Sequence, residues 1–157
     1  MGKVYKALIL LYNKILKRRV FMSYVVRDFN NVGEFMKFLD EEIAQYRRVL
    51  GELLKKLEEL RVRAEYEKKI RSTLAKLGLP ETSPTNEISL RSVKIIVNPS
   101  ASQELSSLES AIEALNNKLT QLTAIRKEVE VLGGVDVDVK LSVVYMDGLP
   151  KLIILRI

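Results

Sequence analysis

Two carboxylates and an ammonium group occupy alternate positions near the C-terminus, at Asp136, Asp138 and Lys140. Valines separate them, so the segment alternates between polar and apolar residues as a half-buried strand does. In such a strand the three side chains share one face, each about 7 Å from the next. Carboxylates bind divalent cations, and a neighbouring lysine can position or activate water. The spacing is therefore compatible with metal-dependent hydrolysis.

The segment Asp138-Val-Lys140 resembles the acid-x-Lys element on a core strand of metal-dependent nucleases of the PD-(D/E)xK superfamily. The resemblance implies a carboxylate that holds a divalent ion and a lysine that acts on water. The chain departs from that pattern because a predicted helix precedes the strand and no Pro-Asp pair does. Glu87, Glu128 or Glu130 would have to supply the missing ligand.

The simpler interpretation of the same residues is the solvated face of an amphipathic strand, which requires polar side chains in any case. We favour this interpretation over a nuclease site. We therefore expect no catalytic residue, no metal site and no cofactor.

The chain of 157 residues contains neither cysteine nor histidine. It therefore lacks disulfides, thiolate sites, Ser-His-Asp and Cys-His arrangements, and the commonest general base near neutral pH. Apolar residues make up 47% of the chain and charged residues 29%, which is typical of a folded protein. Abundant charge without cysteine favours a cytoplasmic protein of a thermophile, from an archaeon or an archaeal virus.

Positive charge is concentrated in residues 1–27, which we interpret as a basic amphipathic N-terminal arm. This arm has no acidic residue, whereas the whole chain has a formal net charge of only +6. Nucleic acid or an anionic membrane surface is its expected partner. Its basic residues are Lys3, Lys6, Lys14, Lys17, Arg18, Arg19 and Arg27.

Helical spacing places Val4, Leu8, Leu11, Tyr12 and Ile15 on one side of a helix over residues 3–20. Two other interpretations of this segment remain open. The helix could pack on the protein's own core, or the first 21 residues could be an upstream extension before a start at Met22. The uncharged run is too short to span a bilayer and no cleavage pattern follows it, so a secretion signal is not expected.

Residues 28–78 are predicted to form a long coiled-coil helix, with Asn31 and Glu34 as its N-terminal cap and Gly78 at its end. Apolar residues alternate at steps of three and four, which is the heptad pattern through which helices associate. A helix over 32–77 would be roughly 69 Å long at about 1.5 Å per residue. We refer to the following positions as the heptad residues and expect them to mediate oligomerisation: Met36, Leu39, Ile43, Tyr46, Leu50, Leu53, Leu57 and Leu60.

A proline-containing linker over 79–87 separates this helix from a β-α-β-β unit over 88–157. A strand is predicted over 88–97, and a second heptad helix over 101–132 is capped by Ser100 and Gln103. Strands over 135–145 and 151–157 follow, joined by a turn at Asp147-Gly148. We expect an α+β fold with a small three-stranded sheet in the order strand-helix-strand-strand, including one right-handed parallel crossover.

These patterns favour a non-enzymatic assembly or scaffold protein that forms homo-oligomers or pairs with a coiled-coil partner, and that contacts an acidic surface through its arm. Whether the two heptad helices pair within one chain or between chains stays open. The apolar last strand also suggests dimerisation through a sheet edge. The alternatives are a nucleic-acid-binding protein that uses the arm and a metal-dependent nuclease that uses Asp136, Asp138 and Lys140.

Overall fold

A computed structural model of the protein describes residues 25–80, 86–134 and 138–157. The element order is β1 (Val26–Phe29), α1 (Val32–Lys76), β2 (Glu87–Ser89), β3 (Lys94–Ile96), α2 (Ala101–Val129), β4 (Lys140–Met146) and β5 (Leu149–Arg156). A short 3₁₀ helix, Glu130–Gly134, follows α2. The expected α+β class, with long helices and a small three-stranded sheet, is confirmed.

The 45-residue helix α1 begins and ends at the predicted caps. Asn31 Oδ1 accepts a hydrogen bond from the Glu34 amide at 2.8 Å, and Glu34 Oε2 accepts one from the Asn30 amide at 2.8 Å. At the other end Gly78 has φ of 84°, and the Leu79 amide donates to the Leu74 carbonyl at 3.2 Å. These bonds satisfy groups that the helix itself leaves unpaired.

The three-stranded sheet is antiparallel throughout, in the order β1-β4-β5. Val26 faces Val144, and Ser142 faces Ile154 on the other side. The predicted parallel crossover is therefore wrong, because the third strand is Val26–Phe29 and not 88–97. A four-residue strand has too few residues to show a clear alternation, although a strand this short can still complete a sheet. The predicted turn at Asp147-Gly148 is confirmed, and both residues have the positive φ of a type I′ hairpin.

The run predicted as one strand over 88–97 folds back on itself as a two-stranded hairpin. Ile88 pairs with Ile95 and Ser89 with Lys94, and the Leu90 amide donates to the Val93 carbonyl at 2.8 Å. The polar Arg91-Ser92 pair lies at the turn, so the apolar run divides into two short strands that satisfy each other's backbone groups.

Helix α2 has 29 residues and begins with the predicted capping box. The Gln103 amide donates to Ser100 Oγ at 3.2 Å, and the Ser100 amide donates to Gln103 Oε1 at 3.0 Å. Glu67 Oε2 accepts a further bond from the Ala101 amide at 3.1 Å. The helix ends earlier than the expected residue 132, because the chain tightens into the 3₁₀ helix Glu130–Gly134, which includes both glycines.

The chain divides into two compact units, and both helices contribute to both of them. One unit, which we call the sheet unit, comprises residues 1–43 and 120–157. In its described part, the centre of the Phe29 ring in β1 lies 5.1 Å from that of Phe35 and 5.5 Å from that of Phe38 in α1. The Phe38 ring in turn lies 6.5 Å, centre to centre, from that of Tyr145 in β4. Leu141 and Val143 of β4 are fully buried, so the helices cover one face of the sheet.

The other unit, Ala44–Leu119, is the hairpin unit. Lys118 lies 5.4 Å from the centre of the Tyr46 ring, whereas Glu67 bonds to Ala101 at the start of α2. The start of α1 therefore lies beside the end of α2, and the end of α1 lies beside the start of α2. The two helices pair antiparallel within one chain. Leu57, Leu60, Ala64 and Ile112 are buried between them.

Candidate interaction site

Of the alternating acid and lysine residues, Asp138 and Lys140 lie where β4 begins. Asp138 and Lys140 are exposed, and Lys140 pairs in register with Arg156 of β5. Asp136 lies outside the described residues. Across residues 25–80, 86–134 and 138–157, no three acidic side chains come close enough to hold a metal ion. The described geometry therefore gives the nuclease alternative no support.

The three acids considered as additional ligands have other surroundings. Glu87 forms an ion pair with Lys94 of the same hairpin, with Oε2 and Nζ 2.6 Å apart. The hydrogen bond from Lys94 lowers the pKa of Glu87. Glu128 and Glu130 are exposed near the end of α2. Glu87 thus stabilises its own hairpin.

Of the basic residues assigned to the N-terminal arm, Arg27 alone lies within the described part of the chain. The others, Lys3 through Arg19, lie outside it. Arg27 belongs to β1 and is half-buried, with its guanidinium carbon 3.9 Å from the centre of the Phe38 ring. This cation–π contact directs Arg27 toward the core.

Arg27 also belongs to a small buried polar cluster that the sequence analysis did not identify. The hydroxyl of Tyr145 and the carboxylate of Glu42 are both buried. Burial raises the pKa of Tyr145, the charge of Glu42 raises it further, and the charge of Arg27 opposes them. The Tyr145 hydroxyl forms no hydrogen bond with any described residue.

The heptad residues of α1 pack within the chain. Leu39, Ile43, Tyr46, Leu57 and Leu60 are buried, and Met36, Leu50 and Leu53 are half-buried. In the sheet unit, Arg126 Nε of α2 lies 2.7 Å from Asp40 Oδ1, and this bond raises the pKa of Arg126. The heptad pattern thus provides much of the contact between the two helices of one chain.

The opposite face of the sheet contains a second polar cluster that sequence inspection missed. Ser142 is almost fully buried, and its hydroxyl donates to Asp28 Oδ1 at 2.5 Å. It also accepts a hydrogen bond from Arg156 Nη1 at 2.6 Å. Ser142 continues the alternation of Asp138 and Lys140, which is typical of the polar face of a half-buried strand. The partners became apparent only from the strand pairing.

Apolar side chains surround this cluster on the same face. Val26 is 52% exposed, Leu152 51% and Ile154 42%, and Val144 between them is half-buried. Among the strands that the structure describes, β1 and β5 are the edges of this sheet, since only β4 has a neighbour on each side. In β5, the uncharged centre Leu152–Leu155 lies between Lys151 and Arg156. The sheet unit therefore presents an apolar surface next to the outer edge of β5, with which no described strand pairs.

The hairpin unit presents a second apolar surface. Side chains of β2, β3 and their turn are exposed on one face of the hairpin, among them Leu90 at 58% and Val93 at 62%. On the end of α1, Leu77 is 75% exposed. The sequence predicted a strand over 88–97 and a helix that ends at Gly78, but no interaction surface there, because an apolar pattern gives no indication of which face lacks a partner.

Among the helices of the described residues, none has an apolar stretch of sufficient length to cross a membrane. Comparison of the chain with protein-family models, characterised proteins and solved structures finds no match. What this protein does must therefore be argued from its own residues.

Proposed function

We propose that this chain is a non-enzymatic, cytoplasmic assembly protein that associates with a second copy of itself through the free edge of β5. The observation that carries the proposal is the combination of an eight-residue edge strand with exposed apolar side chains at Leu152, Ile154 and Leu155. Unpaired backbone donors and acceptors along such a strand favour pairing with another strand.

Pairing of two β5 strands around a two-fold axis would produce one continuous six-stranded sheet. Such an interface is self-complementary, as a symmetric dimer requires. In each copy, Val26, Val144, Leu152 and Ile154 form one apolar patch, and the dimer would bring the two patches together. Because burial of apolar surface contributes about 25 cal/mol per Å², these patches would add to the free energy gained from strand pairing.

The heptad residues of α1 are a less favourable surface for self-association, because the antiparallel helix pair already buries most of them within one chain. We therefore assign the intermolecular contact to the sheet edge and the heptad residues to the fold of the single chain. A coiled-coil partner protein would have to displace α2 from α1.

The test is the molar mass of the double variant Leu152→Lys/Ile154→Lys, measured by light scattering over a range of concentrations. Lysines on the same face of an edge strand oppose pairing through charge repulsion. We expect the wild-type protein to be a dimer and the dissociation constant of the variant to rise at least about tenfold. Circular dichroism should remain unchanged.

The matched control is Leu54→Lys/Val131→Lys, which adds the same charge at two exposed apolar positions outside the sheet. It should keep the wild-type mass. A wild-type protein that stays monomeric at high concentration would refute the proposal. So would an equal effect of both double variants on the mass.

Nucleic-acid binding by the arm is the second candidate, supported by the six basic residues and the absence of acids in residues 1–21. Such binding would weaken steeply with salt. Light scattering of the wild-type protein with duplex DNA, at low and at high salt, distinguishes the two functions. A salt-sensitive complex with DNA that is lost on deletion of residues 1–21 would favour the second candidate.

A further inference from the structure

The last part of α1 extends beyond its helical partner in the hairpin unit. The first residue of α2, Ala101, bonds to Glu67 of α1, and α1 continues for two more turns to Lys76. Every residue from Lys68 to Pro80 is exposed. Short helices are marginal in water unless another surface packs against them, so this helix end lacks the packing that normally stabilises such a segment.

The exposed helix end is amphipathic. Tyr66, Ile70, Leu74 and Leu77 follow one another at steps of four, four and three, which places them along one side. They are 66%, 41%, 40% and 75% exposed, respectively.

Four basic residues also belong to this helix end. They are Lys68, Lys69, Arg71 and Lys76, and none of them forms an ion pair with another residue in the described part of the chain. An apolar stripe with lysine and arginine around it is the composition of helices that lie in a membrane interface.

The β2–β3 hairpin adds a second apolar face. Strand register and alternation place five aliphatic side chains on the same side: Ile88, Leu90, Val93, Ile95 and Val97. Each of them is between 42% and 62% exposed. A two-stranded sheet is marginally stable by itself, and a contiguous exposed apolar face of this kind indicates a binding surface.

The hairpin and the helix end lie close together within the hairpin unit. Ile70 and Arg71 of α1 line one shallow cleft with Asn98 and Ser100, which follow β3. The turn of the hairpin contributes Arg91, which also has no ion-pair partner among the described residues. We use the term distal surface for the helix end Tyr66–Leu79 together with the apolar face of the hairpin.

We propose that the distal surface binds an anionic lipid bilayer. Its unpaired cations are complementary to anionic headgroups, and each basic residue near such a membrane strengthens binding. Its aliphatic side chains can enter the boundary between headgroups and acyl chains. This site is separate from the β5 edge, and the proposal does not depend on self-association.

Two other occupants fit the observations less well. Bases of single-stranded nucleic acid stack on aromatic side chains. The distal surface offers one such side chain, Tyr66, and its hairpin face is entirely aliphatic. A second copy packed on the same surface would bring two sets of unpaired cations together, and their repulsion would oppose the contact. A bilayer with anionic lipids offers negative headgroups to the cations of the distal surface and an apolar region to its aliphatic side chains.

The first experiment is co-sedimentation of the full chain with vesicles of phosphatidylcholine alone or with phosphatidylserine. The variant Lys68→Gln/Lys69→Gln/Arg71→Gln/Lys76→Gln keeps helix propensity and removes the cations. We expect binding to the anionic vesicles only, weakened at least about tenfold in the variant. The charge-matched control, Lys37→Gln/Arg47→Gln/Lys55→Gln/Lys127→Gln, should bind as the wild type does.

The second experiment uses fluorescence, because the chain contains no tryptophan and a single one reports its own surroundings. Leu77→Trp and Leu90→Trp should shift their emission to the blue on addition of anionic vesicles. Leu54→Trp, at a position of α1 that is 45% exposed and outside the distal surface, should not shift.

The proposal is overturned if the distal variant and its charge-matched control bind anionic vesicles equally, since the arm would then carry the binding. It is also overturned if the wild type does not bind, or if Leu54→Trp shifts as much as Leu77→Trp. A blue shift of Leu77→Trp that depends on protein concentration without vesicles would identify a second copy as the occupant and would overturn it as well.

Discussion

At the scale of single residues, polar groups inside or beside the sheet differ in how completely they are satisfied. Ser142 is buried with two hydrogen bonds, to Asp28 and from Arg156. Tyr145 on the opposite face is buried, and its hydroxyl forms no hydrogen bond within the described part of the chain. A buried hydroxyl without a partner lowers stability, because it loses its hydrogen bonds to water on folding.

Tyr145→Phe tests this difference. At pH 7 we expect the variant to be as stable as the wild type or more stable by up to about 1 kcal/mol, since only an unsatisfied group is removed. The raised pKa of Tyr145 means that the unfolded chain releases this proton first as the pH increases. Wild-type stability therefore falls above pH of about 10, the ordinary value for tyrosine.

Urea unfolding at pH 7 and pH 11 measures both effects. The free energy of unfolding should decrease less from pH 7 to pH 11 for Tyr145→Phe than for the wild type. Tyr66→Phe, at a residue 66% exposed, serves as the control and should follow the wild type. A loss of more than about 1 kcal/mol at pH 7 would show that the hydroxyl has a partner.

At the scale of elements, the ends of the helices depend on a few local hydrogen bonds. Both N-termini use an Asn or Ser residue followed three positions later by Glu or Gln, and at α2 the bonds are reciprocal. The α2 terminus gains an additional carboxylate from Glu67, which also interacts favourably with the positive end of the helix dipole.

Ser100→Ala should therefore destabilise the protein by about 1 kcal/mol, the usual loss when an N-cap side chain is removed. Thermal unfolding followed by circular dichroism measures the change. The control is Ser102→Ala, two positions later in the same helix, where the serine is exposed and alanine is the better helix former. Equal stability of Ser100→Ala and wild type would mean that Glu67 alone satisfies this helix end.

At the scale of the whole molecule, the heptad residues and the exposed apolar surfaces have separate roles. The antiparallel helix pair buries Leu57 at 6% exposure within a single chain. Leu152 and Leu77 remain exposed at 51% and 75%. Stability and association should therefore respond to different substitutions.

Leu57→Ala should lower the free energy of unfolding by about 2–4 kcal/mol, because it removes buried methyl groups and leaves a cavity. The mass of the folded protein should not change, since the pairing lies within one chain. Denaturant unfolding and light scattering on the same sample measure both quantities, with Leu54→Ala as the exposed control. A decrease in mass without a loss of stability would instead place the heptad residues between chains.

Periodicity and local chemistry made several elements predictable. The first residue of α1, its capping by Asn31 and Glu34, the capping box of Ser100 and Gln103, and the Asp147-Gly148 turn all depend on neighbours within a few positions. Interactions at such short separation depend little on the rest of the chain. Sequence patterns therefore determine them.

The polar face of β4 was only partly predictable. Alternation placed Lys140 and Ser142 on that face. The hydrogen-bond partners of Ser142, Asp28 and Arg156, lie 114 and 14 positions away along the chain, respectively. A pattern in one strand contains no information about which strand lies beside it.

The sequence by itself determined the long helices, their caps and turns, and the exclusion of histidine and cysteine chemistry. Tertiary structure alone decided that Val26–Phe29 completes the sheet, that residues 88–97 pair with themselves, and that the helices pair within one chain. It also decided which apolar faces stay exposed. The physical reason is that pairing and burial depend on competition between distant segments for the same backbone groups and apolar surface.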